Sequence, residues 1–405
     1  MKVLMLTPYL PYPPSSGGQV RSYNLIKNLA KKHQITLFSL IKSEEEKKYI
    51  FELEKFCREV FVFRRPRKPW TIRNILRTGF GFYPFLVVRN LSSEEKKMVS
   101  KKLLEEKFDL IHAETFYTMP HIPETKIPIL LVDQTIEFQV YQHYADSSSF
   151  WFIKPFLYLD VFKIKFWEVR FWRKATRVVA VSENDKKKML MLEPNLRVDV
   201  VPNGAGEDLL NLWEKRRIDF KKPIVFFQGN FSWLQNTEAA RILAKEIFPK
   251  IKEKIPKAIC RIAGQGADEK ISDLRRGEIE ICDLDIFDTE GVKKFYSEAT
   301  VFVAPLKGPG GTRLKILGAM AAGVPVVTSR VGIEGIEAKE GKEVLLRDEV
   351  LEMAEAVVSL IKNPDLYRKL TRNARKLIEE KYSWPKISQK LDKIYQEVGG
   401  GERKS

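Results

Sequence analysis

The feature that most constrains the fold is a series of short segments that are apolar throughout and alternate with segments of helical periodicity. In the first half these apolar segments are KVLMLTP, QITLFSL, EVFVF, FDLIHAE, IPILLVD and RVVAVSE. Strands that lack a polar face are typical of parallel sheets covered by helices on both sides. The sequence therefore predicts an α/β protein built on a parallel sheet.

The same alternation restarts in the second half, at KPIVFFQGN, and continues through AICRIAG, EIEICDL, TVFVAPL and VPVVTS. The stretch 203–222 between the two series is polar and contains no strand pattern, so we interpret it as a linker. A chain of 405 residues has room for more than one domain. We predict two Rossmann-like parallel-sheet domains, 1–210 and 211–383, facing an interdomain cleft.

Composition narrows the choice of partners. Hydrophobic residues make up 44% of the chain, which excludes a disordered protein, and the formal net charge is +17. Such a charge indicates an anionic partner (nucleotide phosphates, nucleic acid or an acidic membrane surface), although a lysine-rich solvated surface is the alternative. Three widely spaced cysteines and the lack of a signal peptide or membrane span favour the cytoplasm. The DLD triplet lacks the surroundings of a metal–nucleotide signature, so we predict no metal site.

The strongest local signal is GGTRLKIL, which follows the apolar segment TVFVAPL. Gly310 and Gly311 permit a phosphate to approach the backbone, and Thr312 can cap the helix that begins here. Arg313 and Lys315 then fall in its first turn, where cations oppose the helix dipole unless a ligand supplies negative charge. We predict that all five residues bind an anionic donor, with Arg313 and Lys315 as the catalytic pair.

Two further loops follow strands and carry glycines. SSGGQVR places Gly17 and Gly18 at the start of a helix, with Arg21 one turn further on. QGNFSW places Gly229 and Asn230 at the end of the first strand of the second half. Because ligands of parallel sheets bind beyond the carboxyl ends of the strands, we predict that Gly17 and Gly18, and Gly229 and Asn230, contribute to the donor site. The alternative is that these are only turn glycines.

Polar residues also end two strands of the first half. His112 and Glu114 end one strand, and Gln134 and Glu137 follow the next. We predict that Glu114, Gln134 and Glu137, together with Arg21, line the acceptor side of the cleft. A histidine at such a position is more often a hydrogen-bonded core residue, so His112 is not included.

Two segments of the first half interleave cations with aromatic residues: RRPRKPWTIRNILRTGFGFYPF and FWFIKPFLYLDVFKIKFWEVRFWRKATR. This composition is typical of segments that bind the surface of an anionic membrane. A buried core, a dimer surface and a platform for single-stranded nucleic acid are the alternatives. No known nucleic-acid module is present, so we predict contact with a membrane or a lipid-linked substrate and not with nucleic acid.

Taken together, these motifs resemble the retaining GT-B glycosyltransferases of family 4 over nearly the whole chain. The resemblance rests on LTPYLPYPPSSGGQVRSYNLIKNL, VVAVSENDKKKM, VPNG, FFQGNFSWLQNTEAARIL, AGQG, GGTRLKILGAMAAGVPVVTS and the tail NARKLIEEKYSWPKISQKLDKIY. It implies an N-terminal acceptor domain, completed by a crossover helix over 384–399, and a C-terminal domain that holds a UDP- or GDP-linked sugar. It also implies that no metal is required.

The chain departs from the family pattern at several positions. Members commonly carry two glutamates with seven residues between them where this sequence has Gly310 and Gly318. An arginine and a lysine are replaced by Asn230 and Asn236, and Gln134 stands where many members have a cleft histidine. A glutamine cannot act as a base, and Gly318 cannot make the usual contact with the ribose.

We therefore expect a transferase that moves a sugar, with retention, from a nucleotide diphosphate sugar to a lipid-linked or polysaccharide hydroxyl. Its expected location is the cytoplasm, peripherally at the inner face of the cell membrane. The alternative is a catalytically weakened GT-B relative that binds a partner protein or the membrane, and a sugar-nucleotide epimerase of the same fold is a third possibility. Binding of a nucleotide diphosphate separates the first two.

Overall fold

The computed structural model describes residues 1–65, 71–148, 150–216, 218–308 and 312–400. They form two compact units. The first contains Met1–Pro202 together with the chain from Ile387 onwards, and the second contains Asn203–Lys386. Each unit is built on one sheet in which all paired strands are parallel. The predicted α/β class with two parallel sheets is confirmed.

The sheet of the first unit has the strand order β3-β2-β1-β4-β5-β6-β7. Its strands are β1 (Lys2–Thr7), β2 (Gln34–Ile41), β3 (Glu59–Arg64), β4 (Leu110–Glu114), β5 (Ile129–Asp133), β6 (Arg177–Ala180) and β7 (Val198–Val200). Every residue of β4 and of β5 is buried, as expected for strands covered on both faces. The sequence did not predict the short β7, which closes one edge of the sheet.

Helices connect these strands. They are α1 (Gly17–Leu29), α2 (Ile50–Glu54), α3 (Ile72–Phe80), α4 (Phe85–Val88), α5 (Ser93–Glu105), α6 (Glu137–Ser147), α7 (Lys154–Lys174) and α8 (Glu183–Leu192). Short 3-10 segments cover Glu44–Tyr49, Phe116–His121 and Trp151–Ile153. α1 begins as the sequence indicates, because the Ser16 hydroxyl accepts a hydrogen bond from the amide of Gln19 at 3.4 Å and so caps the helix.

The sheet of the second unit has the order β10-β9-β8-β11-β12-β13. Its strands are β8 (Ile224–Gln228), β9 (Ile259–Gly264), β10 (Ile279–Asp283), β11 (Val301–Ala304), β12 (Val326–Thr328) and β13 (Leu345–Leu346). All four residues of β11 are buried. The sequence predicted these strands except β13, whose two residues are too few to form a pattern.

The helices of the second unit surround this sheet. They are α9 (Glu207–Leu210), α10 (Leu234–Ile242), α11 (Phe248–Lys254), α12 (Ala267–Ile271), α13 (Thr289–Glu298), α14 (Leu314–Ala321), α15 (Val350–Lys362) and α16 (Pro364–Lys381). A π-helical turn over Leu243–Ile247 joins α10 to α11, and 3-10 segments cover Trp213–Lys215 and Ser272–Leu274. The last helix, α17, spans Trp384–Gly399.

The segment that the sequence indicated as a linker is a packed part of the second unit. The Arg216 guanidinium donates to the backbone oxygens of Ala299 and Gly323 and, at 3.3 Å, to the hydroxyl of Tyr367. The Trp213 ring lies where a Cβ on Gly323 would be, so the segment fits closely against the unit. The boundary between the units accordingly follows Pro202, whereas the sequence analysis placed it after residue 210.

The end of the chain is tied to the first unit by polar contacts of α17. Asp392 accepts a hydrogen bond from the ring of buried His33 at 2.9 Å and another from the Lys32 ammonium at 2.6 Å. The Tyr395 hydroxyl pairs with His112 of β4. The helix therefore covers the range that the resemblance implied for the crossover helix.

Candidate functional site

The carboxyl edge of the second sheet brings three loop segments together. β8 is followed by Gly229 and Asn230, β9 is followed by Gln265, and α14 begins after β11. The amide of Gly229 donates to the carbonyl of Ala263 at 3.1 Å, and the amide of Phe231 donates to the carbonyl of Gln265 at 2.9 Å. The loops after β8 and β9 therefore form one hydrogen-bonded surface.

A chain of side-chain hydrogen bonds crosses this surface. The Lys315 ammonium donates to Oδ1 of Asn236. Nδ2 of Asn236 donates to the backbone oxygen of Asn230 at 2.7 Å, and Nδ2 of Asn230 donates to Oε1 of Gln265 at 2.7 Å. The structure thus joins the loop of Gly229 and Asn230 to the helix that carries Lys315, two motifs that the sequence analysis identified separately. We call Lys315, Asn236, Asn230 and Gln265 the amide–lysine chain.

The environment of Lys315 is unfavourable for a charge that has no anion beside it. The side chain is half-buried, and its Nζ lies 4.8 Å from the centre of the Phe227 ring. Loss of water and the nearby Arg313 guanidinium lower the pKa of Lys315 to about 7. Its hydrogen-bond partner, Asn236, is neutral. A phosphate brought against Nζ would supply the counter-charge that Asn236 does not provide.

The start of α14 differs from the sequence prediction. The helix begins at Leu314, so Arg313 is the N-cap residue, with extended backbone angles (φ −80°, ψ 92°) and no capping hydrogen bond from its side chain. A guanidinium only donates and cannot accept from the helix amides. The prediction that Thr312 caps the helix is therefore wrong, and so is the placement of Arg313 in the first turn.

The neighbours of these residues fix their positions. Nη2 of Arg313 donates to the carbonyl of Gly308 at 2.5 Å, and the backbone oxygen of the buried Thr312 accepts from Asn203 at 3.5 Å. Gly310 and Gly311, which the sequence assigns to the donor site, lie outside the described residues.

Gly318 has a structural explanation. A Cβ at this position would lie 3.1 Å from Cδ1 of Leu209 and 3.3 Å from the hydroxyl of Tyr296. That hydroxyl has one proton to donate and lies 3.1 Å from the Lys315 carbonyl oxygen and 3.0 Å from Oε1 of Gln228, so Tyr296 connects α14 to the end of β8. Glycine lets the helix lie close against this tyrosine, and a glutamate would have to displace it or Leu209.

The first unit also carries a glycine against a tyrosine at the carboxyl edge of its sheet. Gly17 is exposed at the start of α1, and a Cβ on Gly18 would lie 2.2 Å from the hydroxyl of Tyr9 and 3.1 Å from Oε1 of Gln134. Tyr9 follows β1, and Gln134 follows β5. The glycine therefore allows the helix to meet two strand ends, and its predicted role toward the donor's phosphates stays a prediction.

A buried polar network lies beneath Tyr9 and Gln134. Nε2 of Gln134 lies 2.7 Å from Oε2 of Glu114 and 3.0 Å from the Tyr9 hydroxyl. Nε of Arg21 lies 4.0 Å from Oε1 of Glu114, and Nη1 of Arg21 donates to the carbonyl of Pro202 at 2.9 Å. Arg21 and Glu114 are fully buried, so they support Gln134 and Tyr9 from below and do not themselves reach solvent.

The charge states of this network follow from its contacts. Burial would raise the pKa of Glu114, but His112 at 3.3 Å, Arg21 and Gln134 together lower it, so the carboxylate stays ionised. Burial and the ionised Glu114 raise the pKa of Tyr9, which stays a neutral phenol. The network therefore presents an amide and a phenol, neither of which is a base at neutral pH.

Glu137 belongs to a separate group of carboxyls. Its backbone amide donates to Oε1 of Glu168 at 2.8 Å, and burial together with Asp133 raises the pKa of its side chain to about 7. Burial likewise raises the pKa of Asp133 to about 7, although Trp172 and the amide of Phe116 donate to it. Because Asp133, Glu137 and Glu168 lie close together and repel one another when ionised, the group tends to keep a proton near neutral pH. Glu137 is the half-exposed member of the group.

The two aromatic segments of the first unit are partly core and partly surface. Phe171 and Trp172 are buried in the core, residues 66–70 lie outside the described residues, and many of the remaining large side chains are exposed. Large apolar side chains at least half exposed are Ile72, Ile75, Leu76, Phe80, Phe82, Phe150, Trp151, Phe152, Phe156, Leu159, Phe162 and Phe166. Lys163 of α7 donates to the carbonyls of Thr78 at 2.6 Å and Gly81 at 2.8 Å, which ties α3 to α7. We call this the aromatic surface. Within the described residues, no helix is long and apolar enough to span a membrane.

The sequence analysis missed several residues of these sites. Gln265 follows β9 and Tyr9 follows β1, so the strand-end rule that found Asn230 and Gln134 could have found both. Tyr395 lies on the last helix, and nothing local in the sequence pairs it with His112. In the described parts of the chain, no group of three or more histidine, cysteine or acidic residues could hold a metal ion. Asp283 of the DLD triplet instead accepts the amide of Ala267 at 2.6 Å.

Comparisons with known proteins agree with this architecture. The family model for glycosyltransferase family 4 matches residues 15–208, and that for glycosyl transferases group 1 matches residues 222–363. Each model falls on one of the two units. The chain belongs to the glycosyltransferases of this family 4, group 1 type, which have the GT-B fold.

Individual relatives are distant but span the chain. An uncharacterized 44.6 kDa protein in the cps region of Klebsiella pneumoniae is 20% identical over 95% of this chain and 97% of its own length. Sucrose-phosphate synthase from Thermosynechococcus elongatus has a TM-score of 0.70 at 15% identity, covering 99% of this chain and 100% of its own. Anabaena HepE in complex with UDP and glucose has a TM-score of 0.65 at 14% identity, covering 98% and 100%.

Proposed function

We propose that this chain is a retaining hexosyltransferase. It takes a sugar from a UDP- or GDP-linked donor and transfers it to a hydroxyl of a lipid-linked or polysaccharide acceptor, without a metal cofactor. The observation that carries the proposal is Lys315, a cation of lowered pKa whose side-chain partner is a neutral amide. The solved structure of HepE with UDP and glucose supports a nucleotide-sugar donor for this fold.

In the second unit, the proposed task is to stabilise the departing diphosphate. Lys315 and Arg313 would carry the positive charge, and the amides of Gly310 and Gly311 and the uncapped start of α14 would add donors. Charge that develops on the leaving group is met by groups already held in place, since Asn236 and the carbonyl of Gly308 position the two cations. Gly229, Asn230 and Thr312 complete the proposed donor site.

In the first unit, the proposed task is to hold the acceptor hydroxyl. Gln134 and Tyr9 can donate or accept hydrogen bonds but cannot remove its proton at neutral pH. In the front-face mechanism proposed for retaining members of this family, the leaving phosphate takes that proton, which removes the need for a protein base. Glu114 and Arg21 then act as positioning residues, and Glu137 is a further candidate for contact with the acceptor.

The aromatic surface supports a lipid-linked acceptor. Exposed rings beside Arg73, Arg77 and Lys165 suit the boundary between lipid headgroups and acyl chains, where rings enter and cations stay with phosphates. We propose that this surface places the enzyme peripherally on an anionic membrane, at the cytoplasmic face. No role for nucleic acid is proposed.

The test is a calorimetric titration of the full chain with UDP, GDP and ADP. Binding of one nucleotide is expected, with binding lost in the Arg313→Ala/Lys315→Ala variant. The matched control is Lys250→Ala/Lys257→Ala, which removes the same charge from exposed positions of the same unit. Equal nucleotide binding by the two double variants would show that Arg313 and Lys315 are not part of the donor site.

A second candidate function is a catalytically weakened relative that binds a membrane or a partner protein. The close fit around Gly318 favours it, since this position has no room for the acidic donor contact common in the family. It predicts that none of the three nucleotides binds, while vesicles are bound. Binding of any nucleotide that depends on Lys315 would exclude it.

A further inference from the structure

Three cations that the proposed chemistry does not use lie at the carboxyl edge of the first sheet. β2 ends at Ile41 and β3 ends at Arg64, so Lys42 and Arg65 directly follow two neighbouring parallel strands. The Arg65 amide donates to the Ile41 carbonyl at 2.9 Å, which fixes the two residues side by side. This is the edge at which a parallel sheet binds its ligands.

The third cation is Arg89, at the end of α4. Its neighbour Asn90 is fully buried, and Nδ2 of Asn90 donates to the Leu86 carbonyl at 2.8 Å. Oδ1 of Asn90 accepts from Nη1 of Arg65, so the amide holds the Arg65 guanidinium next to the end of α4. We call Lys42, Arg65 and Arg89 the basic cluster.

The basic cluster lacks the acidic partners that other cations of this unit have. Lys102 and Arg58, for example, pair with Glu106. In the described parts of the chain, no carboxylate lies within ion-pair distance of a cluster member, and the nearby Glu46 accepts the backbone amides of Lys42 and Ser43. Nε of Arg65 and Nε of Arg89 are buried and have no hydrogen-bond partner among the described residues.

The electrostatics show that the three charges affect one another. Loss of water, Arg65 and Arg89 lower the pKa of Lys42, although the nearby Glu46 acts to raise it. Burial and Arg89 lower the pKa of Arg65, against the smaller opposing effects of Tyr117, Glu46 and Tyr9. Like charges held together raise the free energy of the folded protein unless an anion offsets them. Two of the three are arginines, whose planar guanidinium groups match phosphate oxygens in pairs.

The cluster lies on the acceptor side of the proposed active site. Tyr9, which contacts Gln134, is close enough to influence Arg65, and Arg89 is close enough to influence Glu137. All of these contacts are within the first unit. A group bound to the cluster would therefore be adjacent to the residues that we assign to the acceptor hydroxyl.

We propose that Lys42, Arg65 and Arg89 bind a phosphoryl group of the acceptor. This inference rests on the proposed transferase function and specifies its acceptor as a phosphorylated molecule. The phosphoryl group can belong to a lipid-linked acceptor or to a soluble sugar phosphate, and the chemistry of recognition is the same. The cluster offers one ammonium and two guanidinium groups to the oxygens of a phosphate, and Nη1 of Arg65 also donates to Asn90.

The experiment measures phosphate binding in a background that lacks the donor-site cations, Arg313→Ala/Lys315→Ala. The probes are inorganic phosphate, a short prenyl phosphate and the matching prenyl alcohol. Adding Lys42→Ala/Arg89→Gln is expected to weaken prenyl phosphate binding at least about tenfold, the effect of losing one to two charge-assisted contacts. The matched control, Lys31→Ala/Lys107→Ala, removes two exposed cations from residues that precede β2 and β4, at the opposite edge of the sheet.

The probes separate the two sources of phosphate. Inorganic and prenyl phosphate bound with similar affinity would support recognition of the phosphoryl group alone. Prenyl phosphate bound much more tightly, with no binding of the alcohol, would support a lipid-linked acceptor. Equal binding by the Lys42/Arg89 variant and its control, or binding of the alcohol as tight as that of the phosphate, would overturn the proposal.

Failure of this site can be distinguished from failure of the proposed function. The Lys42→Ala/Arg89→Gln variant in an otherwise native chain keeps its donor site, so its nucleotide affinity should equal that of the native protein. Native nucleotide binding without any effect of the cluster on phosphate binding would overturn this inference and leave the transferase intact. Cluster-dependent phosphate binding without nucleotide binding would overturn the transferase and the acceptor role together, and would leave only a phosphate-binding site. Arg89→Lys should keep part of the affinity for phosphate, because the positive charge remains while the paired donors of the guanidinium are lost.

Discussion

Binding of a nucleotide diphosphate should be coupled to uptake of a proton by Lys315. The pKa of this ammonium is lowered to about 7 by loss of water and by Arg313. At pH 8 only about one molecule in eleven then carries the charge before binding. A bound diphosphate favours the charged form and should return the pKa toward the ordinary value of about 10.4.

The magnitude follows from these two values. Uptake by Lys315 should approach about 0.9 proton per nucleotide at pH 8 and fall to about 0.1 at pH 6, where the terminal phosphate of the nucleotide also exchanges protons. Charging the lysine costs about 1.4 kcal/mol of binding free energy at pH 8, which is roughly a tenfold loss of affinity relative to a permanently charged side chain. The sign of the exchange follows from the contact, because a half-buried ammonium that gains an anionic partner becomes more basic.

The assay is calorimetry at pH 8 in two buffers of different ionisation enthalpy, with the nucleotide that binds most tightly. The slope of the observed heat against the buffer enthalpy gives the number of protons exchanged. Lys315→Arg is the control, since arginine stays charged and should bind the nucleotide with almost no uptake. Equal proton uptake by the native protein and the arginine variant would refute the assignment of the proton to Lys315.

Three other substitutions test the packing, the surface and the buried network. Gly318→Glu should lower the free energy of unfolding by about 3 kcal/mol or more, because it overfills a buried site and adds a charge. A free energy of unfolding in urea equal to that of the native protein would contradict the packing argument. Phe80, whose side chain is 91% exposed, lies on the aromatic surface, and Phe80→Ser should reduce binding to anionic vesicles about tenfold. Leu104→Ser is the control, since Leu104 is 90% exposed on α5, outside that surface, and its loss should not affect binding. Equal losses in the two variants would show that the aromatic surface does not contact the membrane. Gln134→Glu places a second carboxyl beside Glu114, so the pair shares a proton with a raised folded pKa. Stability of this variant should therefore fall, relative to the native protein, as pH rises from 5 to 9, and a constant difference would contradict the contact.

The fold could be predicted from the sequence because most of its strands are buried on both faces. The wholly buried β4, β5 and β11 appear as uninterrupted apolar runs that only a covered parallel sheet explains. β7 and β13 were not predicted, since three and two residues do not establish a period. The segment after Pro202 looked like a linker because its polar composition hides the anchoring contacts of Arg216 and Trp213, which are with residues distant in sequence.

The sequence indicated candidate-site residues at strand ends and at the start of one helix. The strand-end rule selected Asn230 and Gln134, and a cation at the start of α14 selected Lys315. It did not select the basic cluster, although Lys42 and Arg65 also follow strands, because a lone cation at a strand end carries no signal in a chain with 70 lysines and arginines. The observation that singles out the cluster is that no carboxylate of the described residues lies within ion-pair distance, and this can be seen only in the folded structure.

Gly18, predicted to approach the donor's phosphates, and Gly318, which replaces an acidic residue of the family pattern, share a structural role. Each admits a tyrosine hydroxyl that a Cβ would crowd, Tyr9 against α1 and Tyr296 against α14. Tyr296 holds the carbonyl of Lys315 at the end of β8, and Tyr9 holds Gln134 above Glu114. Because catalysis by fixed charges and dipoles depends on position to within fractions of an ångström, a glycine that lets a helix approach its tyrosine can matter as much as a residue that contacts the substrate. Glycine is a poor helix former, and Gly318 in the middle of α14 is explained by the close approach of Tyr296, which holds the Lys315 carbonyl one turn before it.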